Sequence, residues 1–111
     1  MHLFFSTPIW ATKIESYDEV NEEMLTYILN LQKQDPVGVI KSNFKGWHSK
    51  DFNMKDLGPT NFITAIKKNL NTLISDMDWD LNIQSVKISS MWAIINEKDA
   101  WNQKHQHSNS D

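Results

Sequence analysis

Hydrophobic side chains recur at helical spacing in two stretches of the chain. The first stretch follows Ser16 and Asp18, which are plausible N-caps, and Asp35-Pro36 ends it because the residue before a proline is pushed out of the helical region. This pattern predicts a helix from about Asp18 to Gln34. The apolar positions that share its face are Val20, Met24, Tyr27, Ile28 and Leu31.

The second helical stretch begins at Gly58-Pro59-Thr60, where Thr60 can act as the cap. Lys67 and Lys68 lie on the polar side of the predicted helix. Its apolar stripe could bind a partner, but a stripe at helical spacing more often packs into a core. The positions that form the stripe are Phe62, Ile63, Ile66, Leu70, Leu73, Ile74 and Met77.

After the second helical stretch the side-chain pattern has a period of two residues. It predicts a long strand from Leu81 to Asn96, or two strands with a bend near Gln84. One face would carry Val86, Ile88, Ser90, Trp92 and Ile94, and the other Lys87, Ser89, Met91, Ala93 and Ile95. The segment Glu97-Lys98-Asp99 then reads as a turn. Such alternation is typical of a sheet that is covered on one face.

Three shorter segments complete the expected pattern. Aromatic and β-branched residues predict an edge strand or two extended pieces over Leu3 to Ile14, with Pro8 inside it. Val37 to Ile40 could form a short strand. We interpret Ser42 to Ser49 as a loop, because of its Asn and Gly content.

Composition narrows the function classes. A chain of 111 residues with 40% hydrophobic content predicts a single domain over residues 1–111. It has no cysteine, which excludes disulfides and thiolate metal sites, and its formal charge of −3 argues against general nucleic-acid binding. No signal peptide or membrane-spanning run is visible, so we expect a cytoplasmic protein without membrane contacts.

His105 and His107 are the candidate metal ligands near the end of the sequence. Histidines in a polar tail are most often solvated surface residues. In a strand, however, side chains two apart face the same way, with Cα atoms roughly 6 to 7 Å apart. That spacing suits two ligands of one metal ion.

Three segments in order resemble the motifs of a family of 2-oxoglutarate and Fe(II)-dependent oxygenases found in marine bacteria and phages. They are Leu3-Phe4-Phe5-Ser6-Thr7-Pro8-Ile9-Trp10, Ser42-Asn43-Phe44-Lys45-Gly46-Trp47-His48-Ser49, and Trp92 through His105-Gln106-His107-Ser108-Asn109-Ser110. The last of these is the most specific. The resemblance covers nearly the whole chain.

The resemblance implies Fe(II) and 2-oxoglutarate as cofactors and hydroxylation of an unknown substrate. His105 matches the first iron ligand of the family, whereas His107 stands where many related oxygenases carry Asp or Glu. Members of the family continue with a Ser-Gly strand, a distal iron-binding histidine and a basic residue for 2-oxoglutarate. The sequence stops at Asp111, so we expect the N-terminal part of an oxygenase domain that is inactive alone.

The predicted fold class is α+β, with two helices packed on a partial antiparallel sheet. Under the resemblance this is an incomplete double-stranded β-helix, or jelly roll, which needs about eight strands when complete. Strand edges left uncovered invite pairing with another chain, which predicts a homo-oligomer. The alternative function is a non-enzymatic α+β interaction module in which the two histidines are incidental.

Overall fold

The computed structural model describes residues 8–83 and 85–105. Its elements in chain order are α1 (Tyr17–Gln34), β1 (Asn43–His48), α2 (Thr60–Asp76) and β2 (Ile94–Asn102). The two strands form one antiparallel sheet. The predicted α+β class, with two helices and an antiparallel sheet, is therefore confirmed. No helix in the described ranges has the length and apolarity needed to cross a membrane.

Helix α1 begins and ends almost where its sequence predicts. Ser16 occupies the N-cap position with a left-handed backbone (φ 52°), and its side chain makes no capping hydrogen bond. Its carbonyl instead accepts the N–H of Val20 at 3.1 Å. At the other end the N–H of Asp35 donates to the Leu31 carbonyl at 2.9 Å, and Pro36 prevents continuation of the helix.

Helix α2 starts differently from the expectation. Thr60 is its first residue and Pro59 takes the N-cap position, without a side-chain cap. The Thr60 hydroxyl donates to the Asp56 carbonyl at 3.2 Å, so it secures the preceding turn and not the helix start. Across the helix pair, the Asn61 amide donates to the Glu23 carboxylate at 2.8 Å. The two helices therefore pack side by side near their N-terminal halves.

The segment interpreted as a loop, Ser42 to Ser49, in fact contains β1, so that prediction was wrong. Gly46 pairs with Asn96 in the register of the two strands. A Cβ at Gly46 would collide with the Asn96 side-chain oxygen and approach the Ile95 carbonyl oxygen at 3.2 Å. The glycine therefore permits close approach of a neighbouring strand, a use that composition alone does not distinguish from a turn.

The predicted turn at Glu97–Asp99 lies inside β2 as an irregularity of the ladder. Between the pairs Phe44–Trp101 and Gly46–Asn96, β1 has one residue and β2 has four. Positive φ angles mark both sides of this bulge, 58° at Lys45 and 66° at Asp99. The local change of backbone direction was predicted, but the strand continues beyond it.

The other strand predictions were too long. The chain from 85 to 93 is not part of a strand, although the N–H groups of Ser49 and Phe52 donate to the carbonyls of Ala93 and Met91 at 2.9 and 2.7 Å. Residues 37–40 likewise form no strand. They make a single backbone hydrogen bond beside β1, from Val39 to His48 at 2.9 Å.

The N-terminal strand is also missing where the structure describes it. Residues 8–14 contain no strand, and the remainder of the predicted segment, residues 3–7, lies outside the described residues. Trp10 is held against α2, because its indole N–H donates to the Asp76 carboxylate at 3.0 Å. This part of the chain therefore packs by side-chain contacts and not through a β ladder.

The core lies between α1, α2 and one face of the sheet, and it includes predicted apolar positions of both helices, whereas Met77 of the predicted second stripe is 38% exposed. Tyr27 meets Phe52 edge to face, with ring centroids 5.2 Å apart. The buried cluster consists of Met24, Trp47, Phe52 and Ala93, with Tyr27, Ile28, Leu31, Phe62, Met91 and Ile95 packed against it. Burial of this apolar surface is the main stabilising contribution to the fold.

Candidate outer-face groove

The sheet has two faces with different surroundings. On the inner face, Trp47 and Ile95 form a register pair that packs into the core. On the outer face, the next pair, His48 and Ile94, lies beside Trp92. We call the depression on this face the outer groove; it has a volume of about 740 Å³. Its lining residues are Lys41, Ser42, His48, Asp51, Ser90, Trp92, Ile94, Asn102, Gln103, Lys104 and His105.

His48 is the most buried side chain in the groove wall, with 3% of its surface exposed. Its Nδ1 lies 2.6 Å from the Ser49 carbonyl oxygen. A carbonyl only accepts, so Nδ1 carries the proton of this hydrogen bond. Within the part of the chain that the structure describes, Nε2 has no such partner. His48 is therefore a buried, hydrogen-bonded residue of the groove wall.

An aromatic and a cationic side chain flank His48. The His48 and Trp92 rings are stacked, with centroids 5.9 Å apart and an interplanar angle of 11°. The Lys41 ammonium lies 5.7 Å from the centroid of the same Trp92 ring. A cation near an aromatic ring at this distance is attracted by the ring quadrupole. Trp92 therefore holds both a cationic and an imidazole group at the groove.

The backbone around Lys41 is fixed by the amide of Asn43. The Asn43 side-chain oxygen accepts the Lys41 N–H at 2.8 Å, and its side-chain nitrogen donates to the Gly46 carbonyl at 2.8 Å. Asn side chains commonly organise turns in this way. One residue thus joins the start of β1 to its bulge and sets where Lys41 enters the groove.

The candidate ligand His105 lies at the end of this groove. The Gln103 N–H donates to the Ser42 carbonyl at 2.7 Å, which extends the pairing of the strands beyond Asn102. His105 is exposed, and its Nδ1 lies 2.8 Å from the Gln103 carbonyl oxygen. The structure brings His105 and His48 to one groove. His107, the second predicted ligand, lies outside the described residues.

The groove is cationic although the whole chain carries a formal charge of −3. Lys41 and Lys104 line it together with one carboxylate, that of Asp51. Among the described residues neither lysine takes part in an ion pair. The ion pairs present there are Lys50–Asp35 at 3.0 Å and Lys68–Glu15 at 3.3 Å. The local charge therefore favours an anionic ligand.

The described residues alone do not fit an iron centre. No group of three His, Asp or Glu side chains that could hold a metal ion occurs in residues 8–83 and 85–105. A facial triad requires two histidines and a carboxylate around one metal. His105 is in place as one candidate, but its neighbours in the groove wall do not complete such a set.

Ion pairing and hydrogen bonds tie the inner side of β1 to the end of α1. The Lys50 ammonium, and then the Gly38 N–H, hold the pKa of Asp35 below its usual value. The indole N–H of Trp47 donates to the Asp35 backbone carbonyl at 2.8 Å. These contacts position the strand that carries His48, so the groove wall depends on the core side of the sheet.

Sequence reasoning missed His48 and Lys41 as residues of the same site as His105. The available signal was the alternation of side chains along the chain, which correctly placed Trp92 and Ile94 on one face and Ala93 and Ile95 on the other. It did not extend to β1, which was interpreted as a loop. Comparison of the chain with protein-family models, curated proteins and solved structures gives no match.

Proposed function

We propose that this chain forms the N-terminal part of an Fe(II) and 2-oxoglutarate-dependent oxygenase of the hydroxylase type. Two features support the proposal. The first is the order of the three motifs, which resembles that family. The second, which carries most weight, is the position of His105 in the lining of the outer groove, three residues after the end of β2. In this proposal β1 and β2 belong to an incomplete jelly roll.

Metal binding in this proposal rests on His105 and His107. The described residues supply only the first of the pair, so we derive no catalytic step through iron. No described residue is assigned to 2-oxoglutarate, whose role rests on the family resemblance. Two ligands hold a metal ion more weakly than a completed set, so we expect weak binding and no turnover by the chain alone.

Cobalt(II) titration tests the proposed ligands. We expect His105→Ala and His107→Ala each to weaken Co(II) binding by at least about tenfold, because loss of even an outer-shell partner costs about that much. His2→Ala, at a histidine outside the motif, is the matched control and should bind as the parent does. The chain with Fe(II) and 2-oxoglutarate should release no succinate above a protein-free blank.

Two results would contradict the proposal in different ways. Co(II) affinity that is unchanged in both variants would remove His105 and His107 as ligands. Iron-dependent succinate release that His105→Ala abolishes would instead overturn the expectation that the chain is inactive alone, while supporting the oxygenase assignment. The first result would leave the interaction module as the leading function.

The interaction module is a second candidate because large apolar side chains are exposed on several parts of the surface. Leu57, Ile9 and Ile40 are 89%, 87% and 85% exposed. Covering such side chains with a partner would remove apolar surface from water, which favours association. A homo-oligomer stays a prediction that rests on uncovered strand edges. The edge of β1 is only partly open, since the Val39 N–H donates to the His48 carbonyl.

A further inference from the structure

We propose that the outer groove binds the phosphate group of a small organic molecule, and that it does so without a metal ion. The proposal does not depend on the oxygenase assignment. It rests on a buried imidazole, two lysines and an adjoining apolar patch that meet in one groove. None of these observations involves the residues beyond 105.

The buried imidazole is the first observation that points to a ligand. Only 3% of the surface of His48 is exposed. Even so, this residue forms part of the groove lining. Nδ1 of the His48 ring already donates a hydrogen bond to the Ser49 carbonyl. The second ring nitrogen can accept a proton from a phosphate hydroxyl or, when protonated, donate to a phosphate oxygen.

The distribution of donors favours phosphate over carboxylate. Lys41 is held at one part of the groove by Trp92, and Lys104 enters from the segment after β2. The hydroxyls of Ser42 and Ser90 are further possible donors of the lining. A phosphate presents three strong acceptor oxygens, whereas a carboxylate presents two in one plane. Hydrogen-bond donors that reach the groove from several segments can therefore be satisfied more fully by a tetrahedral phosphate than by a planar carboxylate.

The rest of the groove suits an organic body attached to the phosphate. Trp92 and Ile94 are 38% and 39% exposed on the outer face. A volume of about 740 Å³ falls within the roughly 300 to 1,000 Å³ usual for small-molecule sites. The ligand class inferred from this combination is a phosphate monoester with a compact apolar moiety.

The test is a titration followed by NMR of the tryptophan indole N–H signals, with phenyl phosphate and inorganic phosphate as probes and EDTA present. Trp92→Phe assigns the Trp92 signal. We expect saturable shifts at Trp92 and little change at Trp10, whose indole is bonded to Asp76. Phenyl phosphate should bind more tightly than inorganic phosphate, because only the ester also contacts the apolar patch.

Substitutions that each remove one positive charge test whether the outer groove is the binding site. Lys41→Gln and Lys104→Gln should each weaken phenyl phosphate binding by about fivefold, the effect of losing one partly exposed charge contact. Lys67→Gln, an exposed lysine on α2, makes the same charge change away from the groove and should have no effect. His48→Gln should weaken binding further if circular dichroism shows that it folds.

Three results would overturn the proposal. Phenyl phosphate affinity that is equal in the parent, Lys41→Gln and Lys104→Gln would exclude the groove as the site. Benzoate binding as tight as that of phenyl phosphate at equal ionic strength would show that phosphate is not the preferred anion. Binding that is seen only when EDTA is left out of the titration would show that the anion binds through a metal ion. Co(II) binding is measured in a separate experiment, so the two proposals can fail independently.

Discussion

The two faces of the small sheet differ in what covers them, although the two strands and the segment that leads into β2 contribute to both. On the inner face Trp47 and Ala93 are 8% and 7% exposed and pack beneath the helices. On the outer face Trp92 and Ile94 retain more than a third of their surface. Alternation along the chain from Trp92 to Ile95 thus separates two tasks, since the covered face stabilises the fold and the open face is available for recognition.

Two adjacent residues connect these faces. His48 and Ser49 are 3% and 2% exposed. The Ser49 hydroxyl donates to the Lys50 carbonyl at 2.6 Å and accepts the Ala93 N–H at 2.9 Å, while the Ser49 carbonyl accepts from His48. Where a regular ladder would continue, a side chain joins the two strands. The wall of the groove is therefore anchored by polar contacts that are themselves buried.

The largest expected effect comes from exchanging the equivalent tryptophans of the two faces for alanine. Trp47→Ala should lower the free energy of unfolding by about 3–5 kcal/mol, because it leaves a cavity in the core and removes the hydrogen bond to Asp35. Trp92→Ala should cost less, about 1–2 kcal/mol, since more than a third of its surface is already exposed. Urea unfolding followed by far-ultraviolet circular dichroism measures both. Equal losses would refute the distinction between the faces.

A smaller effect tests the connection between the faces. Ser49→Ala removes the acceptor of the buried Ala93 N–H, and an unsatisfied buried donor costs about 1–3 kcal/mol. Ser90→Ala, an exposed serine of the outer groove, should change stability by less than about 0.5 kcal/mol. The same urea measurement applies. If Ser49→Ala were as stable as Ser90→Ala, the side-chain bridge between the strands would have no energetic role.

The helices were predictable because their signals are local. The apolar period and Pro36 are sufficient to define α1, and the faces inferred from that period do pack against the core. Strand β1 was not predictable in the same way. Its Asn43 and Gly46 have the composition of a loop, and the reason for Gly46 is its contact with Asn96, fifty positions further along the chain.

The residues of the candidate site likewise divide into those that local sequence signals identify and those whose position depends on strand pairing. His105 was identified from spacing and resemblance, and the structure places it in a groove. Lys41 and His48 reach that groove only because β1 pairs with β2, which no single segment reveals. Trp92 and Ile94 were assigned correctly to a shared face, but which face the helices would cover depends on packing between distant segments.

The smallest expected effect is a pH dependence that belongs to the inner face. Burial, and then the hydrogen bond and charge of Asp56, raise the pKa of Tyr27 from 10.0 to about 12. The unfolded chain therefore loses this proton at lower pH than the folded chain, so the tyrosine's contribution is complete below pH 10.0 and is lost as the pH rises toward about 12. Tyr27→Phe should lower stability by about 1 kcal/mol near neutral pH, because it removes the hydrogen bond to Asp56.

Urea midpoints of the parent and Tyr27→Phe between about pH 8 and pH 12 separate this contribution from the titration of lysines, which both proteins share. The parent should lose stability more steeply above pH 10, so that its advantage over the variant shrinks. Tyr17→Phe, at an exposed tyrosine of the same helix, should follow the parent curve. A constant difference between the parent and Tyr27→Phe across this range would mean that the phenol titrates alike in the folded and unfolded chains, and that packing of the inner face does not reach Tyr27 strongly enough to hold its proton.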